Sequence, residues 1–113
     1  MLSLTAAFKP ASKAELITAI EDCLKVSTDC SKGPHAPIGD WDVTAVTDMS
    51  KVFVGEQGKD YYVVGTECFN GDILKWDVSR ATNMESMFRH AKAFNGDVSK
   101  WDVSRARVGH SYM

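Results

Sequence analysis

FNGDILKWDVSRATNMESMFRHAKA (69–93) runs directly into FNGDVSKWDVSRARVGHSYM (94–113). Phe69, Asn70, Gly71, Asp72, Lys75, Trp76, Asp77, Val78, Ser79 and Arg80 recur 25 residues later as Phe94, Asn95, Gly96, Asp97, Lys100, Trp101, Asp102, Val103, Ser104 and Arg105. A unit this short cannot bury a core of its own. It gains one by stacking on copies of itself.

Upstream, IGDWDVTAVTDMSKVFVG (38–55) carries a divergent copy. Trp41, Asp42 and Val43 align with Trp76, Asp77 and Val78, Asp48-Met49 with Asn83-Met84, and Phe53 with Phe88, all 35 apart. Ten extra residues therefore fall between Phe53 and Phe69. The chain reads as one domain, 1–113: a helix at 11–26, a first coil at 38–56, an insertion at 57–68, a second coil at 69–93 and a degenerate last coil at 94–113. A third of the last coil departs from the pattern, with Tyr112-Met113 where Met87-Phe88 stood.

The alternation Trp-Asp-Val-Ser predicts a short strand, with Trp and Val inward. Met84, Met87 and Phe88 stand at i, i+3 and i+4, which predicts one helical turn per coil. The expected core is Trp41, Val43, Met49, Phe53, Phe69, Trp76, Val78, Met84, Met87, Phe88, Phe94, Trp101 and Val103. Gly71 and Gly96 are expected at positive φ or at a close approach. Asn70 and Asn95 are expected to bond corner backbone groups. The aspartates at 42, 77 and 102 read as turn caps rather than as a calcium ladder, because their spacing does not fit the nine-residue calcium pattern. The Trp-Asp pairs do not mark a propeller, whose blades need ~40–45 residues each.

The N-terminal stretch ASKAELITAIEDCLKV (11–26) has Leu16, Ile17, Ile20, Cys23 and Leu24 on one helical face. Ser12 and Glu15 have capping-box spacing, and such a helix covers the exposed edge of a first coil. STDCSKGPHAP (27–37) reads as a loop. Cys23 and Cys30 admit a disulfide in an oxidising compartment, or two buried free thiols. With His35 they supply only three metal ligands at a spacing that fits no common zinc motif, so no metal and no cofactor is expected.

The 13 Lys and Arg against 15 Asp and Glu give a net charge of -2, with no basic field suited to nucleic acid. No apolar run reaches the ~18 residues of a membrane helix. MLSLTAAFKP (1–10) lacks the basic and apolar regions of a signal peptide. No nucleophile, base or phosphate loop is recognisable, so the expectation is a non-enzyme.

FNGDILKWDVSRATNMESMF and FNGDVSKWDVSRA resemble the repeat of BspA-like surface proteins, a domain of unknown function first described in mycoplasma-type lipoproteins and found in bacteria and single-celled algae. The lead-in GPHAPIGDWDVTAVTDM (33–49) is similar as well. The resemblance implies a right-handed, leucine-rich-repeat-like β-solenoid of about three coils, cell-surface or secreted localisation, and binding or adhesion rather than catalysis. The functional expectation is a protein–protein interaction or adhesion module. The alternative is a scaffold subunit packed into a larger assembly through the insertion and the C-terminal edge. Residues that break the period are the expected partner contacts: Tyr61, Tyr62, Val63 and Val64, too apolar for an idle loop, and Tyr112 in the tail.

Overall fold

The structure, a computed structural model, describes residues 8–53, 69–89, 91 and 93–106. The helix α1 spans Lys13–Leu24. Its start is set by Ser12, which stays extended while its hydroxyl accepts the Glu15 amide at 3.2 Å. The Glu15 carboxylate reaches back to the Ala11 amide at 3.1 Å, a capping box shifted outward by one residue. Leu16, Ala19, Ile20 and Cys23 form the buried stripe. The helix closes two residues before the expected end. The amides of Val26 and Ser27 both turn back to the Cys23 carbonyl at 3.0 Å, which leaves Val26 in solvent.

Beyond α1 the only other helical element among the described residues is a 3₁₀ turn at Ile38–Asp40. None of the described residues forms a β-strand, so the expected β-solenoid with a parallel sheet is not what the chain builds. One isolated parallel bridge, Asp48 with Asn83, stands where a sheet was expected. Around it the Thr82 amide donates to the Thr47 carbonyl and the Met49 amide to the Asn83 carbonyl, both at 2.8 Å.

The reason lies in the aspartates. The Asp77 carboxylate accepts the Ser79 amide at 3.1 Å, so the side chain takes an N–H that a strand would give to its neighbour. The same i to i+2 turn occurs at Asp42–Thr44, Asp48–Ser50, Asp72–Leu74, Asn83–Glu85, Asp97–Ser99 and Asp102–Ser104. Each turn bends the chain before a ladder can extend.

The expected helical turn at Met84–Phe88 is likewise absent. Ser86 has φ 56° and its counterpart Lys51 has φ 63°, in the left-handed region, which interrupts right-handed helix at that point. The bend lets the Lys51 amide reach the Glu85 carbonyl at 3.2 Å and the Phe53 amide reach Met87 at 2.9 Å. These bonds join one pass of the chain to the next.

What stacks is therefore side chains. Trp41, Trp76 and Trp101 form a column with ring centroids 6.5 Å apart at each step. Phe53, Phe69, Phe88 and Phe94 form a second, in near-parallel pairs 4.4–5.8 Å apart. Aromatic pairs add about 0.5–1.5 kcal/mol each beyond the area they bury. Each Trp also bonds backwards. The Trp76 indole N–H donates to the Ile38 carbonyl at 2.7 Å, and that of Trp101 to Ile73 at 3.0 Å. Trp41, with no earlier pass beneath it, turns to the Ala36 carbonyl at 2.7 Å.

The N-terminal end of the stack is closed. Phe8 meets Trp41 edge-on at 5.2 Å and carries His35 stacked on it at 3.6 Å. Lys13 of α1 ties down the first pass, donating to Ser50 at 2.9 Å and pairing with Asp48 at 3.5 Å. The loop after α1 is drawn in by the Cys23–Cys30 disulfide.

Candidate functional site

Of the residues expected in the core, Trp41, Val43, Met49, Phe53, Phe69, Trp76, Val78, Met84, Met87 and Trp101 lie buried in one cluster. Phe88, Phe94 and Val103 are half-buried against it. Their chemistry is spent on packing. Tyr61, Tyr62, Val63, Val64 and Tyr112, the expected partner contacts, lie outside the described residues.

Gly71 and Gly96 serve close approach rather than positive φ. A Cβ on Gly71 would collide with the Asp29 carbonyl oxygen, and one on Gly96 would lie 2.6 Å from the Phe94 ring. Asn70 makes one rung of the expected side-chain bonding: its carboxamide oxygen accepts the Asn95 amide at 2.8 Å. Cys23 and Cys30 are bonded to each other, which removes both thiols as metal ligands. No group of three or more His, Cys, Asp or Glu suited to a metal occurs among the described residues.

The aspartates are electrostatically tuned by the turns they cap. Hydrogen bonds from the Thr44 hydroxyl and amide hold the Asp42 carboxyl below its ordinary value of 3.8. Ser79 does the same for Asp77, Ser99 for Asp97 and Ser104 for Asp102, in each case hydroxyl first and amide second. At Asp48 burial works the other way, and is outweighed by Ser50 and Lys13. Folded carboxyl values below 3.8 mean that the charged form stabilises the fold. That contribution is complete above the unfolded value, near 4, and is lost as pH falls through it toward the lowered folded values. The melting temperature is therefore expected to stay level from pH 7 to 5 and to drop below pH 4. A drop already between pH 7 and 5 would contradict this origin. Asp77→Asn keeps the acceptor oxygen, as Asn83 does naturally in this turn, and should make the acid limb shallower.

Two of the surface grooves among the described residues bring charged side chains from different passes together. One, of about 330 Å³, lies between the loop after α1 and the second pass, lined by Asp29, Asp40, Asn70, Asp72 and Lys75 among others. Lys75 pairs there with Asp40 at 3.6 Å, leaving the groove acidic and partly self-neutralised. The other, about 610 Å³ and open, is lined by Thr47, Ser79, Arg80, Thr82, Asp102 and Arg105. Arg80 and Arg105 occupy equivalent positions on adjacent passes, both exposed. Neither makes an ion pair among the described residues, although each lies near enough to an aspartate to lower its pKa. The sequence marks these arginines only as members of the 25-residue repeat. The signal that marks them is their recurrence at an outward position next to Ala81 and Ala106, which are buried.

The sequence that builds these columns and turns also matches a known family. Residues 18–113 match the family described as "Mycoplasma protein of unknown function, DUF285". The chain belongs to this family. No curated protein and no solved structure matches it. The match begins inside α1, so this DUF285 domain includes the C-terminal part of that helix, the disulfide, all three Trp passes and the Arg80–Arg105 groove. The family description states no function, so the activity of this DUF285 domain has to be argued from its own surface.

Proposed function

We propose that the protein is a non-catalytic module for protein–protein interaction or adhesion. The observation that supports it is the outward column of polar side chains fixed at the spacing of the stack. Lys75 and Lys100, Asp77 and Asp102, and Arg80 and Arg105 are exposed, while Trp76, Val78 and Trp101 between them are buried. A rigid, stepped face of this kind suits a ligand that is itself extended and periodic. The resemblance of the FNGD…KWDVSR segments to BspA-like surface proteins supports a role on the outside of a cell.

The test is affinity selection of random peptides on the immobilised protein, with light scattering of the free protein in parallel. Enrichment of a defined sequence class by a monomer is the expected result. A stable self-assembly with no enriched peptide would favour the scaffold role instead, and measurable cleavage of the selected peptides would end the non-catalytic reading.

A further inference from the structure

We infer that the Arg80–Arg105 groove is a binding site for an extended acidic peptide carrying two carboxylates at alternate positions, Asp/Glu-x-Asp/Glu. The inference rests on the interaction-module reading and names its ligand class. Three observations meet in it.

First, the groove brings together two guanidiniums, Arg80 and Arg105, with the hydroxyl-bearing side chains of Thr47, Ser79 and Thr82. Guanidinium is the side chain suited to a carboxylate, which it grips through two parallel N–H···O bonds. The Ser79 hydroxyl proton is donated to Asp77 and that of Thr82 to the Thr47 carbonyl, so both oxygens face a peptide as acceptors for its N–H groups.

Second, both arginines are without an ion-pair partner among the described residues, although the domain is net acidic. The nearby carboxylates are already engaged. Asp77 accepts from both the amide and the hydroxyl of Ser79, and Asp102 from the Ser104 amide. Each guanidinium is felt by a nearby aspartate but forms no ion pair among the described residues, which leaves its paired N–H groups for a carboxylate delivered from outside.

Third, the spacing matches one ligand geometry. The passes that carry Arg80 and Arg105 are separated by 6.5 Å at their Trp rings and 5.8 Å at their Phe rings. In an extended peptide the side chains at i and i+2 point to one face, and at ~3.3 Å per residue they stand about 6.6 Å apart. A peptide running along the stack axis thus repeats its same-face carboxylates at about the ring spacing of the two passes, bringing one within reach of each arginine. Asp102, which also lines the groove, disfavours a dense polyanion such as a sulfated polysaccharide, whose charges would meet it at close range.

The experiment measures binding of fluorescein-labelled peptides by anisotropy at low and at physiological salt. The peptides are Gly/Ser-based with Glu-x-Glu, Glu-x-x-Glu or Gln-x-Gln, and dextran sulfate serves as competitor. The Glu-x-Glu peptide is expected to bind at least tenfold more tightly than the other two, with affinity falling as salt rises. Arg80→Ala and Arg105→Ala should each weaken it about tenfold, and Arg→Lys should recover only part, since ammonium cannot form the bidentate pair. Both arginines are exposed, so the variants should melt like the parent protein. Equal binding of all three peptides, indifference to both Arg→Ala changes, or complete displacement by dextran sulfate at charge equivalence overturns the inference. The random-peptide selection separates the two levels. Enriched non-acidic sequences that bind the Arg80→Ala/Arg105→Ala protein unchanged would remove this site and leave the interaction module standing. No enrichment of any sequence would remove both.

Discussion

Trp76→Ala is expected to destabilise the protein by about 3–5 kcal/mol, the range for removing a buried aromatic side chain. Trp76 is the middle ring of its column, between Trp41 and Trp101, and it also touches Phe53 at 5.7 Å. It is 3% exposed. Its indole N–H reaches down to the Ile38 carbonyl of the preceding pass. The substitution removes stacking on both faces, opens a cavity in the middle of the Trp column, and deletes the bond between passes. Domains of this size are stable by about 5–15 kcal/mol, so the variant should be partly unfolded at 37 °C. Trp76→Phe separates the causes. It keeps a ring in the column and loses the donor, and should cost about 1–2 kcal/mol, most of it the hydrogen bond and the smaller ring. Urea unfolding with a common slope measures both. A loss under ~1 kcal/mol for the alanine variant, or equal losses for the two, would mean that the column does not hold the passes together.

Replacing both Cys23 and Cys30 by alanine is expected to cost about 2–3 kcal/mol, through the entropy regained by the unfolded chain when a loop of sequence separation 7 is opened. For a chain of this length that is a fall in melting temperature on the order of 10 °C. The effect should be read as a shift between oxidised parent and double variant. Both sulfurs are buried, at 2% and 1% exposure, so reductant should act slowly on the folded protein and quickly once it unfolds. Equal melting of parent and variant would show that the loop from Ser27 to Pro37 is held by its backbone bonds alone. Those include the Ile38 amide to the Cys30 carbonyl at 2.9 Å and the Asn70 amide to the Thr28 carbonyl at 3.3 Å. The second of these carries the consequence across to the second pass.

Much of this arrangement was legible in the residues. The Ser12–Glu15 spacing and the Leu16, Ile20, Cys23 face place α1 correctly at its start, and the Trp and Phe recurrences mark side chains that stack. The in-out alternation also holds locally, since Trp76 and Val78 are buried and Asp77 is not. The backbone conformation was not legible from alternation, which a bent chain with inward Trp and Val shares with a strand. The competing signal was present in the same letters: Asp-x-Ser or Asp-x-Thr at 42, 48, 77, 97 and 102. In each, a short carboxylate captures the amide two residues on, and the turn wins over the ladder. The left-handed residues at Lys51 and Ser86 had no such signal, since neither is Gly, Asn or Asp. The Arg80–Arg105 groove was half-legible. Recurrence gave the residues, but only the stacked geometry puts them in one groove.

The indole bonds of Trp76 and Trp101 both run in one direction, from a later pass to the carbonyl of an earlier one. The two ends of the molecule are therefore unequal under shortening. Removing a later pass takes away a donor, and the carbonyl left behind still accepts from its own layer, as Ile73 does from the Trp76 amide at 3.1 Å. Removing an earlier pass takes away an acceptor and strands a buried N–H, the costlier of the two deficits. In hydrogen bonds, though not in apolar surface uncovered, shortening such a chain is therefore cheaper at its C-terminal side. Its N-terminal side has to carry a dedicated first layer, here the aromatic trio of Phe8, His35 and Trp41 with the Ala36 carbonyl.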